Sequence, residues 1–442
     1  AMIWLYRLLF PVGFMIGFPY YLRRMLRRGG YGKNFGYRLG LWPRLPEKPK
    51  GVRRIWIQAV SVGELLALGS LLRRLSRNES IEIVLTTTTS TGYKVALDRY
   101  RELALAIGPF PLDFLFCSRR AWNRIRPDLA VMVDSELWPE HMRQARNRGV
   151  PVVIVNARLS DRSYRRLSKV NCFRKLLLPQ ELQVVASSQK EAEKWRQLGI
   201  SPDRLETSGN LKFDHQPEVV LDESAKAALR AEFGFSPSRE NERRPVILLG
   251  ASTWPGEEEA LLRFLEANVG EDPSLRLVLA PRHAERGDEL AILLNGQSFS
   301  WKRRSNEDGK DGEDIRVYLA DTTGELPRLM QAADLVFIGK TLGPDQGGQN
   351  PVEAASCGIP VIFGPNTQNF SEMCRTLAET GAGLRVNDEE GLQRALTGLV
   401  RDEAKRTVMG KAARQWKKDH EGATEITCAK LLQLLVDPLD SE

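Results

Sequence analysis

Residues 54–72, RIWIQAVSVGELLALGSLL, pass from a short apolar strand into a helix, and a single carboxylate, Glu64, stands at the joint. The same alternation returns after IEIVLTT (81–87), LAVMVD (129–134) and PVVIVNA (151–157). Continuous apolar strands separated by helices are typical of a parallel sheet covered on both faces. Ligands of such folds bind beyond the carboxyl ends of the strands, which is where we expect Glu64 to lie.

The alternation occurs twice along the chain, and 442 residues suit two domains better than one. Between the two series the apolar pattern lapses into one isolated helix flanked by proline-containing and charged segments. We therefore predict an α/β protein with two Rossmann-like domains facing a central cleft. The predicted segments are a membrane anchor (1–28), a first domain (29–215), a linker (216–244) and a second domain (245–442).

The positive charge of the chain is concentrated at its start. Residues 1–54 contain twelve Lys or Arg and one acid, so their net charge exceeds the formal charge of +8 of the whole chain. The basicity is thus a local collar, and no nucleic-acid partner is predicted. With 42% hydrophobic and 27% charged residues, the rest has the composition of a globular protein.

Beside the collar lies MIWLYRLLFPVGFMIGFPYYLRRMLRR (2–28), in which the arginine cluster follows the apolar run. A cleaved signal peptide has the reverse order, so we expect an uncleaved anchor with its arginines on the cytoplasmic side of a membrane. Arg7, Pro11 and Pro19 weaken the case for a straight spanning helix. A helix lying in the membrane interface and a buried core helix are the alternatives.

Several classes of site have no support in the sequence. Five scattered cysteines without a CxxC pair indicate neither a zinc site nor a disulfide framework, and favour a reducing compartment. Four histidines show no ligand spacing, and neither GxGxxG at the first strand nor a P-loop occurs. No metal site and no cofactor are predicted.

The loop within DLVFIGKTLGPDQGGQNPVEAA (334–355) is the best candidate for a phosphate site. Gly347 and Gly348 allow close approach of the backbone, and a helix is expected to begin near Asn350. Helix amino termini bind phosphate, and Glu353 in the first turn has an acceptor for ribose hydroxyls. An ordinary helix start with a glycine turn is the alternative.

Two further loops place polar residues directly after strands of the second domain. LLGASTWPGEE carries Ser252 and Thr253, and VLAPRHAERG carries Arg282 and His283. Arginine pairs well with phosphate or carboxylate groups. Helix capping is the alternative interpretation of both loops.

The first domain offers carboxylates after its strands. Glu64 is a candidate general base, with interaction with the helix dipole as the alternative. Asp134 and Glu136, in MVDSELWPEHM, are candidates for the same cleft or for helix capping. No strand-flanked DxD of a metal-dependent transferase appears.

Taken in order, the loop sequences resemble those of the Kdo transferases, which move 3-deoxy-D-manno-octulosonic acid (Kdo) from CMP-Kdo to lipid A precursors at the bacterial inner membrane. The matching blocks are AVSVGE, TTTTSTG, PLD, RPDLAVMVDSELWP, NARLSDRS, GNLKFD, GASTWPGEE, LAPRH, ADTTGELPRLMQAADLVFIGKTL, GGQNPVEAA and FGPNTQNF. The similarity extends from the anchor to about residue 390.

This resemblance implies a GT-B fold, an inverting and metal-independent transfer, and catalysis by Glu64 as general base. The implied donor site comprises Ser252, Thr253, Arg282, His283, Gly347, Gly348, Asn350 and Glu353. The implied acceptor and sugar site comprises Ser61, Gly63, Glu136, Arg158 and Lys212. The implied partners are CMP-Kdo, a lipid A precursor and the membrane surface, with the catalytic domains on the cytoplasmic side of the inner membrane.

Two positions depart from the family pattern. Gln349 stands where the family usually has histidine in GGHNPLEP, and Trp254 stands where a histidine usually follows AST. The alternatives are a GT-B enzyme using another nucleotide sugar, and a non-catalytic relative that binds lipid or nucleotide.

Overall fold

The computed structural model describes residues 2–27, 30–169, 174, 177–179, 181–214, 220–235, 244–306, 309–310 and 314–436. Parts of the predicted segments lie outside these residues. They are 1 and 28 of the anchor, 29, 170–173, 175–176, 180 and 215 of the first domain, 216–219 and 236–243 of the linker, and 307–308, 311–313 and 437–442 of the second domain. The chain divides into two compact units, residues 1–215 with 420–442 and residues 216–419.

The first unit is built on a seven-stranded parallel sheet in the order β3-β2-β1-β4-β5-β6-β7. Its strands are Arg53–Ala59 (β1), Ile81–Thr87 (β2), Ala106–Pro109 (β3), Leu129–Val133 (β4), Val152–Ala157 (β5), Gln183–Ala186 (β6) and Leu205–Thr207 (β7). Its helices are Met2–Arg27 (α1), Val62–Ala67 (α2), Gly69–Ser76 (α3), Ser90–Tyr100 (α4), Leu115–Ile125 (α5), Pro139–Arg146 (α6), Asp161–Lys169 (α7) and Gln189–Gln197 (α8).

Alternate residues of β1 explain why both faces of this sheet are covered. Ile55 and Ile57 enter one buried apolar cluster, and Trp56 enters another. All three side chains are at most 1% exposed. The strand order reverses direction between β1 and β4, and this switch point is where doubly wound sheets bind their ligands.

The second unit has an eight-stranded sheet in the order β11-β10-β12-β9-β8-β13-β14-β15, in which only the β10–β11 pair is antiparallel among the described residues. The strands are Val246–Thr253 (β8), Leu275–Pro281 (β9), Ser300–Arg303 (β10), Gly309–Lys310 (β11), Ile315–Leu319 (β12), Leu335–Ile338 (β13), Val361–Phe363 (β14) and Gly383–Arg385 (β15). The helices are Glu223–Glu232 (α9), Glu257–Asn268 (α10), Gly287–Asn295 (α11), Leu326–Ala332 (α12), Val352–Cys357 (α13), Ser371–Glu379 (α14), Glu389–Arg401 (α15) and Glu403–His420 (α16). The predicted α/β class with two Rossmann-like units is confirmed.

The isolated helix that we expected in a linker belongs to the second unit. In α9 the Arg230 guanidinium donates to the Ala332 carbonyl at 3.1 Å, and the Leu221 amide donates to the Gln331 side chain at 2.8 Å. The Phe233 ring, just beyond α9, lies 4.6 Å from that of Tyr318. The described part of the segment therefore packs as a layer of this unit.

The chain end also differs from the predicted boundary at 442, because the last helix, Ala423–Val436 (α17), returns to the first unit. The Asp214 carboxylate accepts hydrogen bonds from the Gly422 and Thr424 amides at the start of α17. Leu431 and Leu435 then join the apolar cluster that covers one face of the first sheet. The second domain expected to run from 245 to 442 thus lacks its last helix.

The amino-terminal segment forms the predicted helix, α1. Residues Met2–Arg23 are long and apolar enough to cross a membrane, and none of the most apolar stretch is fully buried in the structure. Length and composition alone are weak grounds for a membrane span. Helix α1 also contacts the first unit, since Arg7 donates to the Glu140 carboxylate.

Candidate active site

Glu64 lies at the amino terminus of α2, and the preceding loop holds its carboxylate. Ser61 caps the helix, accepting from the Glu64 amide at 3.4 Å, and its hydroxyl donates to Glu64 Oε1 at 3.1 Å. The Val60 amide donates to Oε2 at 2.7 Å. These hydrogen bonds fix the direction in which the half-buried carboxylate points. Gly63, between cap and carboxylate, is exposed.

The surroundings of Glu64 raise its pKa above the ordinary value. Burial is the largest cause, and the negative charge of Asp134 adds to it. The Val60 amide, the Ser61 hydroxyl and the Arg158 charge act in the opposite direction without cancelling these effects. A carboxylate with a raised pKa takes up a proton more readily than a free one, which is the property a general base needs.

Asp134 follows β4 and holds Arg158, which follows β5. The guanidinium donates through Nε and Nη2 to Asp134 Oδ2 at 2.8 and 2.6 Å. Asp134 is largely buried, whereas the Arg158 side chain is 40% exposed. Asp134 thus positions a partly exposed cation whose charge acts on Glu64.

Asn156, which the sequence did not single out, completes this arrangement. Its Nδ2 donates to Asp134 Oδ1 at 2.7 Å, and its Oδ1 accepts from the Leu211 amide at 3.0 Å. Both Asp134 (φ 60°) and Asn156 (φ 52°) adopt left-handed backbone conformations, which cost little for these two residue types. The only signal available in the sequence was an asparagine at the end of a buried strand.

Glu136 is the third carboxylate of this group, after Glu64 and Asp134. The Trp138 indole donates to it at 2.6 Å. Burial raises the pKa of Glu136 to about 7, and the negative charges of Glu64 and Asp134 contribute to the rise. Glu136 is therefore partly protonated near neutral pH.

Lys212 lies in the short 3₁₀ helix Leu211–Asp214 that follows β7. Burial and the positive charge of Arg158 lower its pKa, while Asp134 and Glu64 act in the opposite direction. The charge of Lys212 therefore interacts with those of Glu64, Asp134 and Arg158. The structure brings together the first-unit residues predicted for the site, Ser61, Gly63, Glu64, Glu136, Arg158 and Lys212, at the carboxyl edge of the first sheet.

In the second unit, the ends of β8 and β9 carry the predicted pairs side by side. The Arg282 amide donates to the Thr253 carbonyl at 3.1 Å, and Ser252 has a left-handed backbone with φ 55°. Arg282 and His283 are exposed. The Trp254 ring lies edge-on to that of His283, with centroids 5.1 Å apart.

The glycine loop approaches the same edge. The Lys340 ammonium lies 4.5 Å from the Trp254 ring centroid, and the Lys340 carbonyl accepts from the Gly348 amide at 2.9 Å. Gly347 needs glycine because its backbone has φ 127°, a conformation that residues with a side chain rarely adopt. The sequence did not single out Lys340.

The helix predicted near Asn350 is present. Asn350 Oδ1 accepts from the Val352 amide at 3.1 Å, and α13 begins at that residue with Pro351 directly before it. Glu353 lies in the first turn, half-buried. One loop and the helix start that follows it therefore carry Gly347, Gly348, Asn350 and Glu353. This segment lies beside the ends of β8 and β9.

Glu257 is the third residue that sequence reasoning missed, after Asn156 and Lys340. It is 1% exposed and accepts four backbone hydrogen bonds, which come from Trp254 (3.0 Å), Lys340 (2.9 Å), Thr341 (2.9 Å) and Leu342 (3.0 Å). The carboxylate thereby ties the loop after β8 to the loop after β13. In the sequence it resembles an ordinary acid in a first helical turn, since three of its four partners lie more than eighty residues away.

Comparison with known proteins gives two family matches. Residues 33–215 match the family described as 3-deoxy-D-manno-octulosonic-acid transferase (kdotransferase). Residues 264–416 match glycosyl transferases group 1.

Among curated relatives, a 3-deoxy-D-manno-octulosonic acid transferase of Haemophilus influenzae is 32% identical over 94% of this chain and 92% of its own length. A protein of the same name from Bordetella pertussis is 34% identical over 84% of this chain and 85% of its length. Among solved structures, a UDP-GlcNAc 2-epimerase of Neisseria meningitidis is similar, with a TM-score of 0.55 at 14% identity, over 86% of this chain and all of the epimerase. That last likeness concerns the fold alone.

Proposed function

The chain belongs to the 3-deoxy-D-manno-octulosonic acid transferase family of glycosyltransferases, and on that premise we propose that it moves Kdo from CMP-Kdo to a hydroxyl of a lipid A precursor, with Glu64 as general base. The observation that carries the proposal is the carboxylate of Glu64, fixed by two hydrogen bonds beside the switch point of the first sheet and given a raised pKa. A base held in this way is ready to accept a proton from a sugar hydroxyl.

The proposed reaction is a single displacement. The acceptor hydroxyl gives its proton to Glu64, and its oxygen forms a bond to the anomeric carbon of Kdo. The bond from that carbon to the phosphate oxygen breaks, and CMP leaves with the electron pair. Attack and departure on opposite sides invert the anomeric centre.

Arg158 and Lys212 are proposed to orient anionic groups. Both the carboxylate of Kdo and the phosphates of a lipid A precursor would meet them near Glu64. Arg158 suits this role because Asp134 holds one side of its guanidinium while 40% of the side chain remains exposed. Glu136 adds a proton-holding group with a pKa of about 7, and Ser61 and Gly63 border the same acceptor region.

The nucleotide is proposed to bind the second unit. Ser252, Thr253, Arg282, His283, Gly347, Gly348, Asn350 and Glu353 are its proposed contacts. Backbone amides of the glycine loop and the Arg282 guanidinium would stabilise the charge that develops on the departing phosphate. Trp254, at the position of the usual histidine, instead packs against His283 and Lys340.

We propose that the transfer does not need a metal ion. Glu64 accepts from an amide and a hydroxyl, and Asp134 accepts from an amide group and a guanidinium. Each oxygen of both carboxylates therefore already has a donor from the protein.

Helix α1 and the basic collar are proposed to attach the enzyme to the bacterial inner membrane, with both units on the cytoplasmic side. Cationic residues next to a bilayer each gain about 1 kcal/mol from an anionic surface. This location would bring the enzyme to a lipid acceptor.

The test is transfer from purified CMP-Kdo to a tetra-acylated lipid A precursor in detergent, followed by mass spectrometry of the lipid. We expect Kdo addition, undiminished by EDTA, with the anomeric configuration inverted in the product by NMR. A matched reaction with UDP-GlcNAc should give no product. Transfer from UDP-GlcNAc alone, or stabilisation by CMP with no transfer at all, would contradict the proposed activity.

A further inference from the structure

The inner side of α1 is bound to the first unit by two buried carboxylates. Arg7 donates through Nε and Nη2 to the Glu140 carboxylate at 2.9 and 3.1 Å, and the Glu140 side chain is fully buried. The Tyr6 hydroxyl donates to Asp113 Oδ2 at 2.6 Å. The single charged residue in the apolar run of α1 is thus neutralised by the protein itself.

The contact continues along the helix. The rings of Phe10 and Phe14 lie edge-on to Phe114, with centroids 5.1 and 5.2 Å away. Further on, the Arg38 guanidinium lies 5.6 Å from the Tyr21 ring centroid. A helix advances about 22 Å from Tyr6 to Tyr21. Helix α1 therefore contacts the first unit over a length equal to most of the thickness of a bilayer core.

The opposite side of α1 is apolar and exposed. At about 100° per residue, the contacting positions 6, 7, 10, 14 and 21 share one side of the helix, and the exposed positions face away from them. These exposed side chains are Trp4, Leu5, Leu8, Leu9, Val12, Met15, Ile16 and Tyr20. A row of this kind is unfavourable in water and calls for an apolar partner.

We propose that α1 lies in the plane of the membrane surface, clamped to the first unit by Arg7 and Glu140, with its outer side immersed in a bilayer that contains anionic lipids. A helix that crossed the bilayer while keeping these contacts would carry Asp113, Glu140 and the surrounding surface into the hydrocarbon. A helix that crossed without them would leave Arg7 unpaired there, which is strongly unfavourable. In the interface, both difficulties disappear.

The charges around the helix explain why the lipids should be anionic. Residues 2–46 contain no Asp or Glu, and Arg23 is exposed at the end of the apolar row. Helix α5 begins directly after Phe114 and presents exposed Phe116, Arg119 and Arg120. Apolar side chains beside exposed arginines match the boundary between acyl chains and phosphate headgroups.

This inference rests on the proposed membrane location. The side of the membrane on which the amino terminus lies distinguishes a failure of the in-plane helix from a failure of the proposed location. The full chain, with a protease-cleavable tag at its amino terminus, is produced in a Gram-negative host and examined in spheroplasts and inverted membrane vesicles. The expected result is a membrane-bound protein whose tag is cleaved only in the inverted vesicles. Cleavage in spheroplasts would leave the location standing and overturn the in-plane helix, whereas absence from the membrane fraction would overturn both.

A second measurement examines the outer side of α1 directly. The variant Leu8→Asp with Ile16→Asp should bind phosphatidylglycerol vesicles at least tenfold more weakly than the parent, with an unchanged thermal unfolding midpoint. The matched control is Val408→Asp, an exposed apolar residue of α16, which should bind like the parent. Equal binding of the double variant and the control would refute the proposal.

Discussion

Replacing Glu257 with glutamine should destabilise the second unit far more than the small chemical change suggests. Each carboxylate oxygen accepts two amides, since Oε1 accepts from Thr341 and Leu342 and Oε2 accepts from Trp254 and Lys340. Whichever way the new amide is turned, its NH₂ group faces two N–H donors that it cannot accept from.

The expected cost follows from the two lost hydrogen bonds. A hydrogen bond to a charged group contributes about 1.5–3 kcal/mol, so the substitution should cost about 3–6 kcal/mol. Full burial of Glu257 leaves no water to replace the missing acceptor. For a unit of this size, the lower figure corresponds to a fall of roughly 6–12 °C in the unfolding midpoint.

The assay is thermal unfolding of the full chain, combined with CMP affinity by calorimetry. CMP should bind at least tenfold more weakly to Glu257→Gln, because the carboxylate fixes the Lys340 segment whose carbonyl holds the Gly348 amide. The matched control is Glu259→Gln, which changes a half-buried acid with a single bond to the Gly256 amide and should lower the midpoint little. Equal midpoints and equal CMP affinities for the two variants would refute this reasoning.

Three further substitutions have outcomes that the geometry predicts. Asp134→Asn should lower the transfer rate more than tenfold, because it releases Arg158. The acidic limb of the pH–rate profile should also move to lower pH, because the negative charge that raises the pKa of Glu64 is removed. An acidic limb at the parent's pH would contradict this prediction. Glu136 has a folded pKa of about 7, above its unfolded value, so its contribution to stability is complete at low pH and is lost as pH rises through about 7. Glu136→Gln should therefore be more stable than the parent at pH 8 by about 3 kcal/mol but not at pH 4 in denaturant titrations. A difference independent of pH would argue against this reasoning. Arg7→Ala should cost about 3–5 kcal/mol in urea unfolding because its buried carboxylate partner loses its counter-charge, and an unchanged midpoint would show that the ion pair contributes nothing.

The sequence was most informative where local pattern determines structure. Apolar runs such as residues 81–87 are typical of strands covered on both faces, and in a parallel sheet the polar loops after such strands lie at its carboxyl edge. For this reason the positions of Glu64 and Asp134 directly after strands predict that they lie in one region, and in the structure the charge of Asp134 acts on Glu64.

Side-chain partners that lie far apart in sequence could not be predicted in this way. Asn156 gains its role only when β5 brings it beside Asp134 and Leu211, and Glu257 gains its role from amides that follow β13. Neither partner is visible from local sequence. Both residues hold other groups of the site in place. The residues that could not be predicted are therefore those that position the site.

The two ends of the chain were misjudged or left open for a related reason. Helix α17 has the composition of any buried helix, and its contacts with the Asp214 carboxylate and the first apolar cluster assign it to the first unit. Similarly, Arg7 appeared only as an interruption of an apolar run, whereas its contact with Glu140 gives α1 an inner and an outer side.

The central claim is that Glu64 removes the proton from the acceptor hydroxyl. The most direct test is the single-turnover rate of Kdo transfer by Glu64→Gln at saturating acceptor, beside CMP affinity measured on the same preparation. General-base catalysis contributes about 10²–10⁴-fold, so the rate should fall by at least a hundredfold while CMP affinity stays within twofold of the parent. A variant that retains more than a tenth of the parent rate, with equal CMP affinity, would contradict the assignment of Glu64 as the base.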